Sequence, residues 1–115
     1  MKDNLIVINK YKNLIEKYSD YGLLFPRKYF SLKDRLENLL FDNLKEMYIV
    51  NSIHDKKVRI LRKEELVGRI KYLNYLFIRV QALKVMSDKQ YKGLYCEVEV
   101  IYKYLLGWLK SDRSN

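Results

Sequence analysis

The chain predicts an all-α fold, an antiparallel up-down-up-down four-helix bundle. Three observations carry this. Apolar residues recur at spacings of three and four in four separate stretches, the period of a helix with one buried face. Proline occurs once and glycine four times in 115 residues, so little interrupts those stretches. The breaks between them are short, and short links set consecutive helices side by side. One domain, residues 1–115, is expected, with enough chain for a real core.

The first helix is expected over about residues 3–21, where Leu5, Ile8, Tyr11, Ile15 and Tyr18 make one stripe. Gly22 fits its C-terminal cap. LLFPRKYF, Leu23 to Phe30, holds the lone proline, which pushes the residue before it out of helical geometry. Leu24, Phe25, Tyr29 and Phe30 are apolar enough to predict that this loop folds back on the bundle end. Ser31 with Asp34 three residues on has the spacing of a capping box and predicts the start of a second helix, about 32–51. Its core stripe is Leu32, Leu36, Leu39, Leu40, Asn43 and Met47, with Phe41, Leu44 and Tyr48 in a second strip beside it. His54 falls at the hinge that follows. Ser87 to Gln90, SDKQ, is another capping box and opens a fourth helix over about 88–110. Leu94, Val98, Ile101, Leu105 and Trp108 form its stripe, flanked by Tyr91, Tyr95 and Tyr102. Gly107, late in that helix, costs about 1 kcal/mol against Ala and predicts a close approach of another group. The tail from Ser111 reads as polar and loose.

The third helix, about 55–85, is the unusual one. Leu66, Ile70, Leu73, Phe77 and Val80 make an ordinary buried stripe. Winding at about 100° per residue puts Gly68, Lys71, Tyr72, Tyr75, Ile78 and Arg79 on the other side. A helix apolar on both sides is covered on both sides, so Tyr72, Tyr75 and Ile78 are the candidate interface of a homo-oligomer. From Asp55 to Met86 there are also nine Lys or Arg against three acids, which is most of the net charge of +9. A pI near 9.6 favours an acidic partner, nucleic acid first. Lys56, Lys57, Arg59, Arg62, Lys63, Arg69, Lys71 and Arg79 are the candidate contacts to phosphate or to a partner. A competing reading stays open. Arg59 and Arg62 lie in line with the apolar stripe, where Asp42 or Glu46 of the second helix can pair with them. Arg59, Arg62 and Arg69 would then be tied up near the core, leaving Lys57, Lys71 and Arg79 exposed.

Composition argues against catalysis. One His and one Cys cannot build a zinc site, and the paired Glu-x-x-His steps of a di-iron bundle are missing. No Gly-rich phosphate loop or nucleophile elbow occurs. No enzyme activity, metal or cofactor is expected. The single Cys96 excludes an internal disulfide, and neither a secretory leader nor a membrane span is visible, so a cytoplasmic location is expected.

Three stretches resemble a known family. FPRKYFSLKDRLENLLFDNLKEMY, the step MSDKQY and the ending YKYLLGWLK are similar to the accessory variability determinant (Avd) proteins of diversity-generating retroelements. The shared positions are Phe25-Pro26-Arg27, then Leu32 and Asp34 through Leu40, then Ser87, Lys89, Gln90 and Tyr91, then Gly107-Trp108. The likeness covers roughly residues 25 to 110. It departs at Leu106, where the family has the first of two closing glycines, and along the first helix. The resemblance implies a bundle assembled into a homopentameric barrel with a basic surface. It also implies binding to nucleic acid and to the error-prone reverse transcriptase that copies template RNA, without polymerase activity in the chain itself. Relatives encoded in rRNA intervening sequences share the bundle, and a structural oligomer of that type is the alternative.

Overall fold

The structure, a computed structural model, describes the backbone of residues 2–114 and the side chains of residues 6–114. Among the described residues it is all-helical, without strands: α1 Lys2–Asp20, α2 Phe30–Ser52, α3 Lys56–Ala82 and α4 Asp88–Arg113. A 3₁₀ turn, Arg27–Tyr29, leads into α2. The arrangement is consistent with a four-helix bundle. α1 and α3 each pack on both α2 and α4, so α1 and α3 stand diagonally opposed. The molecule measures 47 × 23 × 18 Å. The 27 residues of α3 span about 40 Å of that length.

The buried stripes follow the helical period. α1 contributes Val7, Ile8, Tyr11, Leu14 and Tyr18; Leu5 lies outside the described side chains. α2 contributes Leu36, Leu40, Met47 and Val50, and α3 all five residues of its expected stripe plus Leu76. α4 contributes Leu94, Val98, Ile101, Leu105, Trp108 and Leu109. Two polar anchors cross this core. The Tyr11 hydroxyl donates to the Leu40 carbonyl oxygen at 2.6 Å, and the Tyr18 hydroxyl donates to Glu37 Oε2 at 2.9 Å. Asn43 is fully buried; among the described residues its side-chain amide makes no hydrogen bond of ordinary length, but it stands beside the Tyr11 hydroxyl and favours that group's charged form.

Helix ends explain the breaks. Gly22 has φ +55°, in the left-handed region, and its N–H donates to the Ser19 carbonyl at 3.1 Å, closing α1. Asp55 caps α3: its Oδ1 accepts from the backbone N–H of Lys57 at 2.9 Å and of Val58 at 3.2 Å. Ser87 and Gln90 form a complete capping box at the start of α4.

Three local expectations are corrected. Ser31 is not a cap. The 3₁₀ turn has already started the coil, α2 begins at Phe30, and no side chain caps it. The preceding loop folds back only in part: Leu23 and Phe25 pack against the core, but Leu24 is 89% exposed and Phe30 half exposed. Gly107 is not a close-approach residue. It faces outward, and a Cβ there would meet nothing within 4 Å. The close approach is at Gly93, where a Cβ would lie 2.6 Å from Tyr21 Oη and 3.1 Å from Lys17 Cε. That Tyr21 hydroxyl donates to the Gln90 carbonyl at 3.0 Å and ties the end of α1 to the start of α4.

Gly107→Ala is therefore expected to raise stability by about 1 kcal/mol in urea unfolding, because it gains helix propensity without a clash. Gly93→Ala should gain less or lose, since the same propensity term is set against displacing Tyr21.

Candidate nucleic-acid interface

The eight candidate cations of α3 divide according to where the helix places them. Positions 59, 63, 66 and 70 are spaced three and four apart, so Arg59 and Lys63 continue the core stripe formed by Leu66 and Ile70. Lys63 is only 1% exposed. Its ammonium donates to Asp112 Oδ2 at 2.6 Å and to the Trp108 carbonyl at 3.1 Å, and it lies 4.2 Å from the Trp108 ring centroid. Arg59 grips the same carboxylate with two N–H groups, Nε to Oδ2 at 2.8 Å and Nη2 to Oδ1 at 2.7 Å. Its other terminal nitrogen donates to the carbonyls of Ile53 and His54 in the α2–α3 link. Arg62 donates to Glu46 Oε1 of α2 at 2.6 Å.

Lys63 is thus removed from the surface set, and Arg59 and Arg62 are committed to carboxylates. Glu46 is the partner of Arg62, as the competing reading allowed. Arg59 pairs instead with Asp112, which stands in the stretch expected to be a loose tail. A signal for this is present in the sequence: Asp112 stands seven residues after Leu105 and four after Trp108, on the core face of α4.

The electrostatics follow from these bonds. The Arg59 hydrogen bonds, helped by Lys63 and opposed by desolvation, hold the Asp112 carboxyl down from 3.8 to about 2. Burial pulls the Lys63 ammonium below its ordinary value, and Asp112 pulls it back up. The hydrogen bond to Asp112 raises Arg59.

The remaining cations point elsewhere. Lys57, Lys71 and Arg79 are exposed, and Lys56 and Arg69 are partly buried. None of these five makes an ion pair within 4 Å among the described residues. The Lys71 ammonium lies 5.8 Å from the Tyr102 ring centroid, across the seam between α3 and α4. The outward face of α3 also carries Tyr72, Tyr75 and Ile78, all exposed, and Leu61 extends the strip by more than two turns toward the helix start. Gly68 sits in the middle of it with open space above. The arrangement offers cations for phosphate beside apolar surface for a second molecule.

Among the described residues no group of three or more His, Cys, Asp or Glu is placed to hold a metal ion, and no helix is long and apolar enough to cross a membrane. Cys96 is exposed and free. Comparison with protein-family models, curated proteins and solved structures gives no match to this chain.

The shared carboxylate predicts an asymmetric mutational response. Asp112→Asn should destabilise on the order of 3 kcal/mol, because it strands one buried and one half-buried cation. Lys63→Met should be nearly neutral, since Asp112 keeps its two bonds to Arg59 and the ammonium's desolvation is relieved. The pH dependence has a definite sign. A depressed carboxylate contributes stability that is full above its unfolded value, near 4, and is lost as pH falls through about 2. The urea midpoint of the wild type should therefore drop more steeply between pH 4 and pH 2 than that of Asp112→Asn.

Proposed function

We propose that this chain is a non-catalytic accessory protein of a diversity-generating retroelement. In this reading it is an antiparallel up-down-up-down bundle that assembles as a homopentamer in the cytoplasm. It binds RNA or other nucleic acid together with the retroelement's reverse transcriptase, and so supports mutagenic copying of the template. It uses no metal or cofactor. The observation that carries the reading is the outer face of α3. There Lys57, Lys71 and Arg79 are exposed and, among the described residues, outside any ion pair, beside the uncovered Tyr72, Tyr75 and Ile78. The apolar strip supports association between copies. The cations beside it support contact with a phosphate backbone, and a ring of copies would multiply that field. The number five, and the reverse transcriptase, rest on the resemblance to the Avd proteins.

A second reading has its own observation. Arg59, Arg62 and Lys63 are spent on ion pairs, which favours a structural oligomer of the intervening-sequence type with a smaller basic surface.

Light scattering at micromolar concentration is expected to give a pentamer, and a clean monomer would remove the interface. Lys57→Gln, Lys71→Gln and Arg79→Gln together should weaken RNA binding with the assembly intact. They should also flatten its salt dependence, by roughly 0.7 to 0.9 in slope for each phosphate no longer neutralised. Wild-type protein that fails to bind RNA at moderate salt, with no reverse transcriptase encoded beside it, would leave only the structural oligomer.

A further inference from the structure

The seam between α3 and α4 is not closed along its length. A groove of about 320 Å³ opens on the outer side of the bundle, within the size range of small-ligand sites. Its floor is apolar, formed by the buried side chains of Ile70 and Val98. Tyr95 and Tyr102 of α4 stand along one wall. They are seven residues apart, so they lie on one face about 10.5 Å apart along the axis. Tyr95 is exposed and Tyr102 partly so. Lys71 and Asn74 of α3 form the other wall.

The polar groups around this floor are of three kinds. Asn74 accepts the Tyr91 hydroxyl on Oδ1 at 3.3 Å, which leaves its NH₂ group to donate. Glu99 takes the Tyr95 hydroxyl and retains acceptor capacity on its carboxylate. Lys71 supplies positive charge at the rim. Beyond the rim, Lys92, Lys103 and Lys110 are exposed and recur at spacings that keep them on the Glu99 side of α4. The groove thus combines two tyrosine rings, that of Tyr95 beside Tyr91 at 5.9 Å and that of Tyr102 under the Lys71 ammonium at 5.8 Å, with one amide donor, one carboxylate acceptor and a surrounding excess of lysine.

We propose that the α3–α4 groove is a base-stacking subsite for single-stranded nucleic acid. Bases lie on the rings of Tyr95 and Tyr102. Asn74 donates to, and Glu99 accepts from, the edge of a base, and Lys71 with the neighbouring lysines follows the phosphates. A duplex does not fit this role, because its bases are already stacked on one another. The Glu99 carboxylate belongs with the base edge and not the backbone, since it would repel phosphate. The proposal rests on the nucleic-acid reading given above and adds to it the chemical form of the ligand and the residues that read it.

The test uses the full chain and a short end-labelled oligouridine, followed by fluorescence anisotropy across a salt series. Tyr95→Leu and Tyr102→Leu keep apolar cover over the groove and remove the aromatic faces. Together they are expected to weaken binding by about tenfold or more with the salt slope unchanged, since every phosphate keeps its cation. Tyr102→Phe should bind like the wild type. Lys71→Gln should lower the slope by about 0.7. Wild-type protein that binds the single strand while the double Leu variant binds equally well would overturn the groove and leave the wider nucleic-acid reading standing. A clear preference for an RNA duplex of matched length would do the same. A double Leu variant whose assembly size changes would assign the groove to a second copy of the chain instead. Wild-type protein that binds no nucleic acid at all would overturn both.

Discussion

One carboxylate near the end of the chain constrains much of this molecule. Asp112 is buried and holds two cations from the early turns of α3. A charge in that position cannot be left alone, because the desolvation of an ammonium such as Lys63 is large and only a close counter-charge offsets it. α4 must therefore stay helical through its last turns to bring Asp112 opposite Lys63. The α2–α3 link is held as well, because Arg59 reaches its carbonyls while gripping Asp112. The far end of the bundle is tied by a neutral bond, Tyr21 to the Gln90 carbonyl, made possible by the missing side chain at Gly93.

The same ion cluster sorts the charge on α3. Nine Lys or Arg in one segment look like a single basic surface in the sequence. In three dimensions Arg59 and Lys63 point inward and Arg62 turns to α2. What remains outside is a narrower set of cations among Leu61, Tyr72, Tyr75 and Ile78. Surface apolar area of this extent on a helix already packed on its other side is what an association surface needs. Cations interleaved with tyrosines on the neighbouring α3–α4 seam are what a flexible polyanion with flat rings needs. The two surfaces adjoin, so the proposed assembly and the proposed ligand binding would draw on neighbouring parts of one helix.

Polar groups inside the core serve order more than strength. Tyr11 and Tyr18 each spend a buried hydroxyl on α2, and burial raises both phenols far above their ordinary range. Such bonds fix the register of α1 against α2, since a slip would strand the hydroxyl away from water. Asn43, in the same α2 stripe, sets its buried amide beside the Tyr11 hydroxyl.

The all-helical class, the four helices and most of the core were determined by the sequence itself, because a 3.6-residue period with few breakers leaves a chain little else to do; Val7, Leu14, Val50, Leu76, Met86 and Leu109 joined the core from beside the expected stripes, and Ile15, Leu32 and Leu39 are only partly buried. The Ser87–Gln90 cap and the Gly22 stop were legible for the same reason: each acts through backbone groups within a few residues. Tertiary structure decided whatever depends on residues far apart in the chain. Asp112 looks like part of a polar tail until α3 supplies the two cations that bury it. Lys63 looks like surface charge, although its spacing from Leu66 and Ile70 already places it on the core side. Gly107 and Gly93 are both glycines within α4, and only the position of Tyr21, in the turn after α1, tells which one a side chain would crowd. Ser31 has the sequence of a cap, but the 3₁₀ turn after Pro26 has already begun the helix. Local periodicity reports which face of a helix is buried, whereas the partner that a charged or missing side chain meets is set by packing between helices.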